Sequence, residues 1–263
     1  MRLLLFTILA LIVCGCSPEK EPTGSPRKIL SLSAAATGIL TKLGVPPAAI
    51  DSYSEIAAGS PCPPVIGKGS AVSREKLTEF GIDRVILWSY QEDAATLFRK
   101  AGLRVETLPQ LRLETYPDLV RKLGNLTGKH AEAEAICRKF ESFCSGIKLQ
   151  KQEIPVYFEL YAPWKSAGRE SYIGDLLRAS GGVPISWKTG LISTETLLSF
   201  QPEVIFFAEG ETTPEQIAKR PGFSGIPAVK NGRIYSVPRR LITEGLAPEE
   251  AVDYFRTHLN RSL

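Results

Sequence analysis

Reactive side chains are few in this 263-residue chain, and they are poorly spaced for catalysis. Only two histidines occur, His130 and His258, so a Ser-His-Asp system has little to draw on. The nearest approach to a G-x-S-x-G nucleophile turn is GKGSA at residues 67–71, which lacks the last glycine and follows no clear strand. Neither a phosphate-cradling P-loop nor a G-x-G-x-x-G run is present. Cys137 and Cys144 lie seven residues apart in one strongly helical stretch. Their Cα atoms would stand about 10 Å apart, beyond the roughly 7 Å reach of a disulfide. They read as small buried apolar residues, and Cys62 pairs only by tertiary accident. A metal site would need several histidine or carboxylate ligands to converge, and with two histidines on helices that reading is poor. What remains is the chemistry of binding. Tyr53, Trp88, Tyr90, Tyr161, Trp164 and Trp187 fall in or beside loops, as do Arg169 and Arg239. Aromatic rings there can offer flat faces to a ligand while their polar tips stay hydrogen-bonded.

Those loops are fixed by alternating strand and helix signals. Short apolar runs predict strands at 28–32, 49–53, 84–88 and 103–108. Helical segments lie between them, with Ser73 as an N-cap and Gly44 and Gly81 as stops. Residues 129–152 then hold no strand signal. Their apolar positions, Ala133, Ile136, Cys137, Phe140, Phe143, Cys144 and Ile147, follow helical spacing. At 1.5 Å per residue that stretch would run about 35 Å, the width of a domain. The alternation restarts with strands at 154–161, 203–208 and 232–237 and a C-terminal helix with Pro248 in its first turn. The order predicts an α/β fold: two Rossmann-like three-layer lobes, joined by one long connecting helix. The lobes are expected at 27–127 and 153–263, with the connector at 128–152. In parallel sheets ligands sit beyond the carboxyl ends of the strands, so the ligand cleft belongs between the lobes.

The N-terminus is of another kind. Leu3 to Val13 is apolar apart from Thr7, about 11 residues against the roughly 20 needed to span a bilayer. That is the length of a signal-peptide core. Cys14-Gly15-Cys16 resembles a bacterial lipobox, which implies cleavage after Gly15 and lipid on Cys16. Residues 1–15 are thus read as a lipoprotein signal peptide. Residues 16–26, rich in Pro, Ser and charge, are read as a flexible linker. The expected location is the cell envelope, on a lipid anchor facing the periplasm or the cell exterior. No later run approaches 18 apolar residues, and a net charge of +4 without a basic block gives no case for nucleic acid.

Several stretches resemble the substrate-binding lipoproteins of ABC importers for iron–siderophores, haem and vitamin B12. They are RKILSLSAAATGILTKLGV, KLTEFGIDRVILW, LLRASGGVPI, LLSFQPEVIFFA and, most specifically, IPAVKNGRIYSVP. The resemblance implies a monomer that binds a metal-chelate small molecule and delivers it to a permease and ATPase complex. It implies no enzyme activity and no resident cofactor. It implies a ligand set drawn from Tyr53, Trp88, Tyr90, Tyr161, Trp164, Arg169, Trp187 and Arg239. SYS at 52–54, Trp88, and SAGRES at 166–171 are most similar to the vitamin B12-binding branch, which makes a corrinoid the first expectation. Haem, with a tyrosine such as Tyr90 as axial ligand, is the alternative, as is a ferric siderophore held by Arg239 and Arg240 with Arg169 or Lys165. From another class, a lipid-anchored hydrolase or a structural envelope lipoprotein stays open. The vitamin B12-binding branch also carries one glutamate on the outer face of each lobe, which pairs with arginines of the permease. Glu75 matches the first position and Glu244 the second, with Glu249 as a neighbouring register. Glu75 also suits a helix start through the dipole alone.

Overall fold

The computed structural model describes residues 28–54, 60, 62–147 and 153–260. The signal segment, Cys16 and the linker therefore lie outside the described residues. The first sheet contains β1 (Ile29–Ser31), β2 (Ala49–Asp51), β3 (Val65–Lys68), β4 (Ala71–Val72), β5 (Arg84–Trp88) and β6 (Arg104–Leu108). Its order is β4-β3-β2-β1-β5-β6, parallel except for the β3–β4 hairpin. Helices α1 (Ala34–Lys42), α2 (Arg74–Glu79) and α3 (Glu92–Lys100) connect its strands. Two helices then follow, α4 (Tyr116–Thr127) and α5 (His130–Gly146).

The second sheet holds β7 (Ile154–Glu159), β8 (Lys165–Ser166), β9 (Gly182–Pro184), β10 (Gly190–Leu191), β11 (Val204–Ala208) and β12 (Ile234–Val237). Its path is β10-β8-β7-β11-β12, with β9 also paired to β7. The helices of this half are α6 (Tyr172–Ala179), α7 (Thr194–Phe200), α8 (Pro214–Ala218), α9 (Pro227–Lys230), α10 (Arg239–Ile242) and α11 (Pro248–Leu259). β5 and β11 are buried along their whole length, which is why both read as unbroken apolar runs.

Three expectations change. GKGSA does follow a strand, β3, and forms the turn of a hairpin with Gly69 at φ +56°. The strands β3, β4, β8, β9 and β10 escaped the periodicity, because two to four residues hold too few alternations to register. The connecting helix is also shorter than expected. It spans 17 residues and stops at Gly146, with Ile147 extended at φ −72° and ψ 105°.

The helix is not a free rod between independent lobes. One apolar cluster runs from Ile29, Ile39 and Tyr116 through Phe140 of α5 to Phe158, Phe206 and Phe255 in the second half. The rings of Tyr116 and Phe140 lie 4.7 Å apart. Such a pair adds about 0.5–1.5 kcal/mol to the area it buries. Polar contacts close the same junction. Arg112, in the loop after β6, forks onto Asp175 of α6 at 2.7 and 2.6 Å, and the Leu113 N–H donates to Asp175 at 3.0 Å. Lys42 of α1 donates to the Gly245 carbonyl at 3.3 Å and to the Tyr116 hydroxyl at 3.2 Å.

Burial alone would raise the pKa of Asp175. Arg112, the Leu113 N–H and Arg178 outweigh it and hold the carboxyl below its usual range. A depressed carboxylate contributes stability above its unfolded pKa and loses that contribution as pH falls through the folded value. Asp175→Asn should therefore cost about 1–3 kcal/mol at pH 7 by urea denaturation, a figure kept below that for a fully buried pair because the Arg112 side chain is 30% exposed. The gap to wild type should narrow on acidification below about pH 4.

Candidate ligand-binding cleft

Loops that leave the carboxyl ends of strands in both halves meet in space: Gln110, after β6, and Leu160, after β7, line one cavity, and the aromatic residues lie on loops of the same kind. Tyr90 follows β5 and is 72% exposed. Its ring stacks at 6.4 Å and 11° on Trp88, which is itself only 8% exposed. Trp88 is thus a correction. It belongs to the shared core and supports Tyr90 from below instead of offering a face of its own. Burial raises the Tyr90 pKa, and the charges of Glu244, Tyr161 and Asp51 add to the shift. Residues from both lobes therefore act on one hydroxyl.

Tyr53 is 64% exposed, and its ring lies over Gly69 of the hairpin turn. A buried polar chain sets the loop that carries it. Asp51 accepts from Ser54 at 2.9 Å, and Thr37 donates to Ser31 at 2.9 Å and shares a hydrogen bond with Ser54 at 3.2 Å. Burial pushes the Asp51 carboxyl up, with the Ser54 and backbone hydrogen bonds opposing it.

On the opposite lobe, Tyr161 is 60% exposed and accepts a hydrogen bond from Lys165 at 2.6 Å. Trp164 departs from expectation. At φ +65° its ring packs edge-on against Phe223 at 5.3 Å, with the Arg220 guanidinium over it. Arg220 is in turn forked onto Glu159 at 2.5 and 2.8 Å. Trp164 is half-buried and plugs the end of β7. Trp187 is 61% exposed, donates to Glu170 at 2.7 Å and meets the Arg169 guanidinium at 6.0 Å. Arg169 Nε donates to the Pro184 carbonyl at 2.9 Å. Arg239 pairs with Glu211 and donates to the Glu209 carbonyl, and Arg240 pairs with Glu250. Arg239 and Arg240, the pair an anionic chelate would need, are thus matched by carboxylates already, and Arg169 is held by a backbone carbonyl and a ring.

Glu244 is the largest correction. It does not lie on an outer face. It lines a cavity of about 190 Å³ between the lobes, with Gln110, Leu160, Tyr172, Thr189 and Ile242 among the walls. The chain turns inward there because Gly245, at φ +73°, packs beside Ala35 and Leu111, and Leu246 lies against Gly38 of α1. Burial pushes the Glu244 carboxyl up to about 7. Glu75 by contrast is exposed at the start of α2, and its carboxyl is lowered by its own backbone N–H and the Ser73 hydroxyl. Sequence reasoning missed its counterpart, Glu195. Ser193 caps α7 as Ser73 caps α2, and Glu195 is lowered by the corresponding pair, its own backbone N–H and the Ser193 hydroxyl. Each helix follows a short antiparallel strand and leads into the strand beside its lobe's first strand. The signal was present as VSRE at 72–75 and ISTE at 192–195.

A larger hollow of about 820 Å³ lies on α4, α5 and α6, walled by Phe140, Cys144, Asp175 and Arg178. It contains none of the aromatic loops and belongs to the lobe junction. His130 bonds Asn125 and His258 bonds the Tyr254 carbonyl, both on helices remote from these loops. Cys62, Cys137 and Cys144 are free thiols. Among the described residues no group of three or more His, Cys, Asp or Glu is arranged to hold a metal ion.

The family model for periplasmic binding protein matches residues 29–241. Solved structures are similar across nearly the whole fold. Haem-complexed IsdE of S. aureus is 21% identical, with a TM-score of 0.74, covering 90% of this chain and 100% of that one. The periplasmic haem-binding protein RhuT of Roseiflexus sp. RS-1 is 19% identical, with a TM-score of 0.77, covering 89% and 99%. An ABC transporter substrate-binding protein from Listeria monocytogenes EGD-e is 21% identical, with a TM-score of 0.73, covering 89% and 98%. With two α/β lobes facing across a cleft and a model match over most of its length, this chain belongs to the periplasmic binding protein family.

Proposed function

We propose that this protein captures haem in the cleft between its lobes and passes it to a membrane importer. As a periplasmic substrate-binding protein it serves an ABC permease and ATPase from outside the cytoplasm. The observation that carries the haem reading is Tyr90. It presents an exposed phenol at the mouth of the cleft, on a ring stacked flat against Trp88. A phenol oxygen is a known type of axial ligand for ferric haem. Tyr53 and Tyr161 add two more exposed rings for a flat macrocycle to lie against. Two of the similar solved structures are haem-bound or named haem-binding. They favour haem over the corrinoid expected from the local stretches. The paired state of Arg239 and Arg240 weighs against a ferric siderophore.

Docking belongs to Glu75 and Glu195, not to Glu244. The first two occupy equivalent helix starts in the two lobes, so a two-fold permease surface would meet one on each side. The tether is assigned to Cys16 through the lipobox-like Cys14-Gly15-Cys16 run.

Haemin should titrate the purified domain with quenching of tryptophan fluorescence, and should outcompete dicyanocobinamide and a ferric siderophore. Tyr90→Phe should weaken haemin at least about tenfold, the loss of one coordinating bond, and remove the phenolate-to-iron charge-transfer band. An unchanged spectrum and affinity in Tyr90→Phe would sink the assignment. Reversing both charges, Glu75→Arg with Glu195→Arg, should abolish copurification with the permease while haemin titration is preserved. Cys16→Ser should move the protein from the membrane fraction to the soluble fraction, read by fractionation and intact mass.

A further inference from the structure

Glu244 stands apart from the other charged groups near the cleft. Arg169, Arg220, Arg239 and Arg240 each have a polar partner. The Glu244 carboxyl has no hydrogen bond or ion pair to any other described residue, although it is half-buried. The titratable groups that face it are Tyr90, from the loop after β5, and Tyr172 of α6. Burial raises both phenols, so neither supplies a charge. Lys42 of α1, the nearest helix across the junction, spends its ammonium on Gly245 and Tyr116. An ionised carboxylate without a cation is costly in such a place, and burial accordingly pushes this group up to about 7.

The cavity beside it measures about 190 Å³. Sites for whole small-molecule ligands run to about 300–1,000 Å³, so this one fits a side arm and not a macrocycle. Its walls mix apolar surface from Leu160, Ile173 and Ile242 with a few polar groups. Ser171 is committed to Gly168 and Gly174, and Thr189 to Gly168. Glu244, the Gln110 amide and the buried Tyr172 hydroxyl, which has no side-chain hydrogen-bond partner, are left with unspent hydrogen-bonding capacity. A neutral carboxyl offers one donor and an acceptor side by side. That pattern is complementary to another carboxyl or to a carboxamide.

We propose that Glu244, as a neutral carboxyl, anchors a carboxyl-type side arm of the ligand in this cavity: a porphyrin's carboxylic acid or a corrinoid's carboxamide. The inference rests on the tetrapyrrole reading of the cleft. If the arm arrives as a carboxylate, it shares the Glu244 proton, and capture takes up a proton whenever Glu244 was ionised beforehand. Ligand capture is then coupled to pH at this one residue.

The test is affinity for haemin and for dicyanocobinamide at pH 6 and pH 8.5, in wild type and in Glu244→Gln, with folding checked by thermal melting. Binding through the protonated form alone predicts weakening by up to about 30-fold at pH 8.5 in the wild type. The profile should be flattened in Glu244→Gln, whose amide keeps a donor at every pH. Proton release from Tyr90 on ligating haemin acts in the opposite sense, and it cancels between wild type and variant. Haemin carrying the steep profile identifies the acid arm, and cobinamide carrying it identifies the amide arm. Difference infrared spectra of the ligand-free protein should show a protonated-carboxyl band at pH 6 that is lost at pH 8.5 and absent from the variant. Parallel pH profiles in the two proteins, or no such band, would overturn the proposal. Failure of both ligands to bind at either pH overturns the tetrapyrrole reading itself and takes the arm with it.

Discussion

The arrangement depends on an apolar core that the two lobes share. It begins at Ile29 in the first strand, passes through Tyr116 on α4 and Phe140 on α5, and ends at Phe255 and Leu259 on the last helix. Each large side chain buried there is worth about 1.5–3 kcal/mol relative to exposure. Separating the lobes would return many of them to water at once. The Arg112–Asp175 fork and the Lys42–Gly245 bond close the same seam with directional contacts. The cleft is therefore built into the fold at rest, and a ligand need not fund its formation. Other apolar clusters cover the far faces of the two sheets and stay within their own lobes.

A seam this apolar shapes the electrostatics beside it. The segment 242–246 must fold inward to reach α1, and it carries Glu244 with it. On the rim, where water is at hand, charges are paired and cheap, as at Arg239 and Glu211. At the floor the carboxyl has no charged partner, and burial raises it to about 7. The same seam explains the aromatic residues. Trp88 is drawn into the core and Trp164 onto Phe223, so both tryptophans become supports. The tyrosines next to them, Tyr90 and Tyr161, are left facing solvent.

Much of the scaffold was legible in the chain. β5 and β11 are unbroken apolar runs because both faces are covered, and that pattern survives in the sequence. Ser73 and Gly81 bracket α2 through local hydrogen bonding and a left-handed turn, neither of which needs a distant partner. The edge strands were not legible. β8 and β10 are two residues each, and only pairing with one another makes them strands. The shortened connector is a similar case. Helical spacing continues past Gly146, but the helix ends where Ile147 turns extended.

The sequence by itself determined the two-lobed α/β order, the connecting helix and the loops from which a site could be drawn, because those follow from periodicity and capping within a few residues. It also held Glu195, in a repeat of VSRE as ISTE, though only the equal positions of α2 and α7 gave that repeat meaning. Which loop side chains stay exposed at the cleft, and whether a glutamate lies on the outer surface or within, was decided by tertiary structure alone. Burial and charge pairing arise from segments far apart in the chain. Glu244 points inward, with its carboxyl raised to about 7 by burial, because Gly38, Ala35 and Leu111, more than a hundred positions away in sequence, receive the turn that follows it.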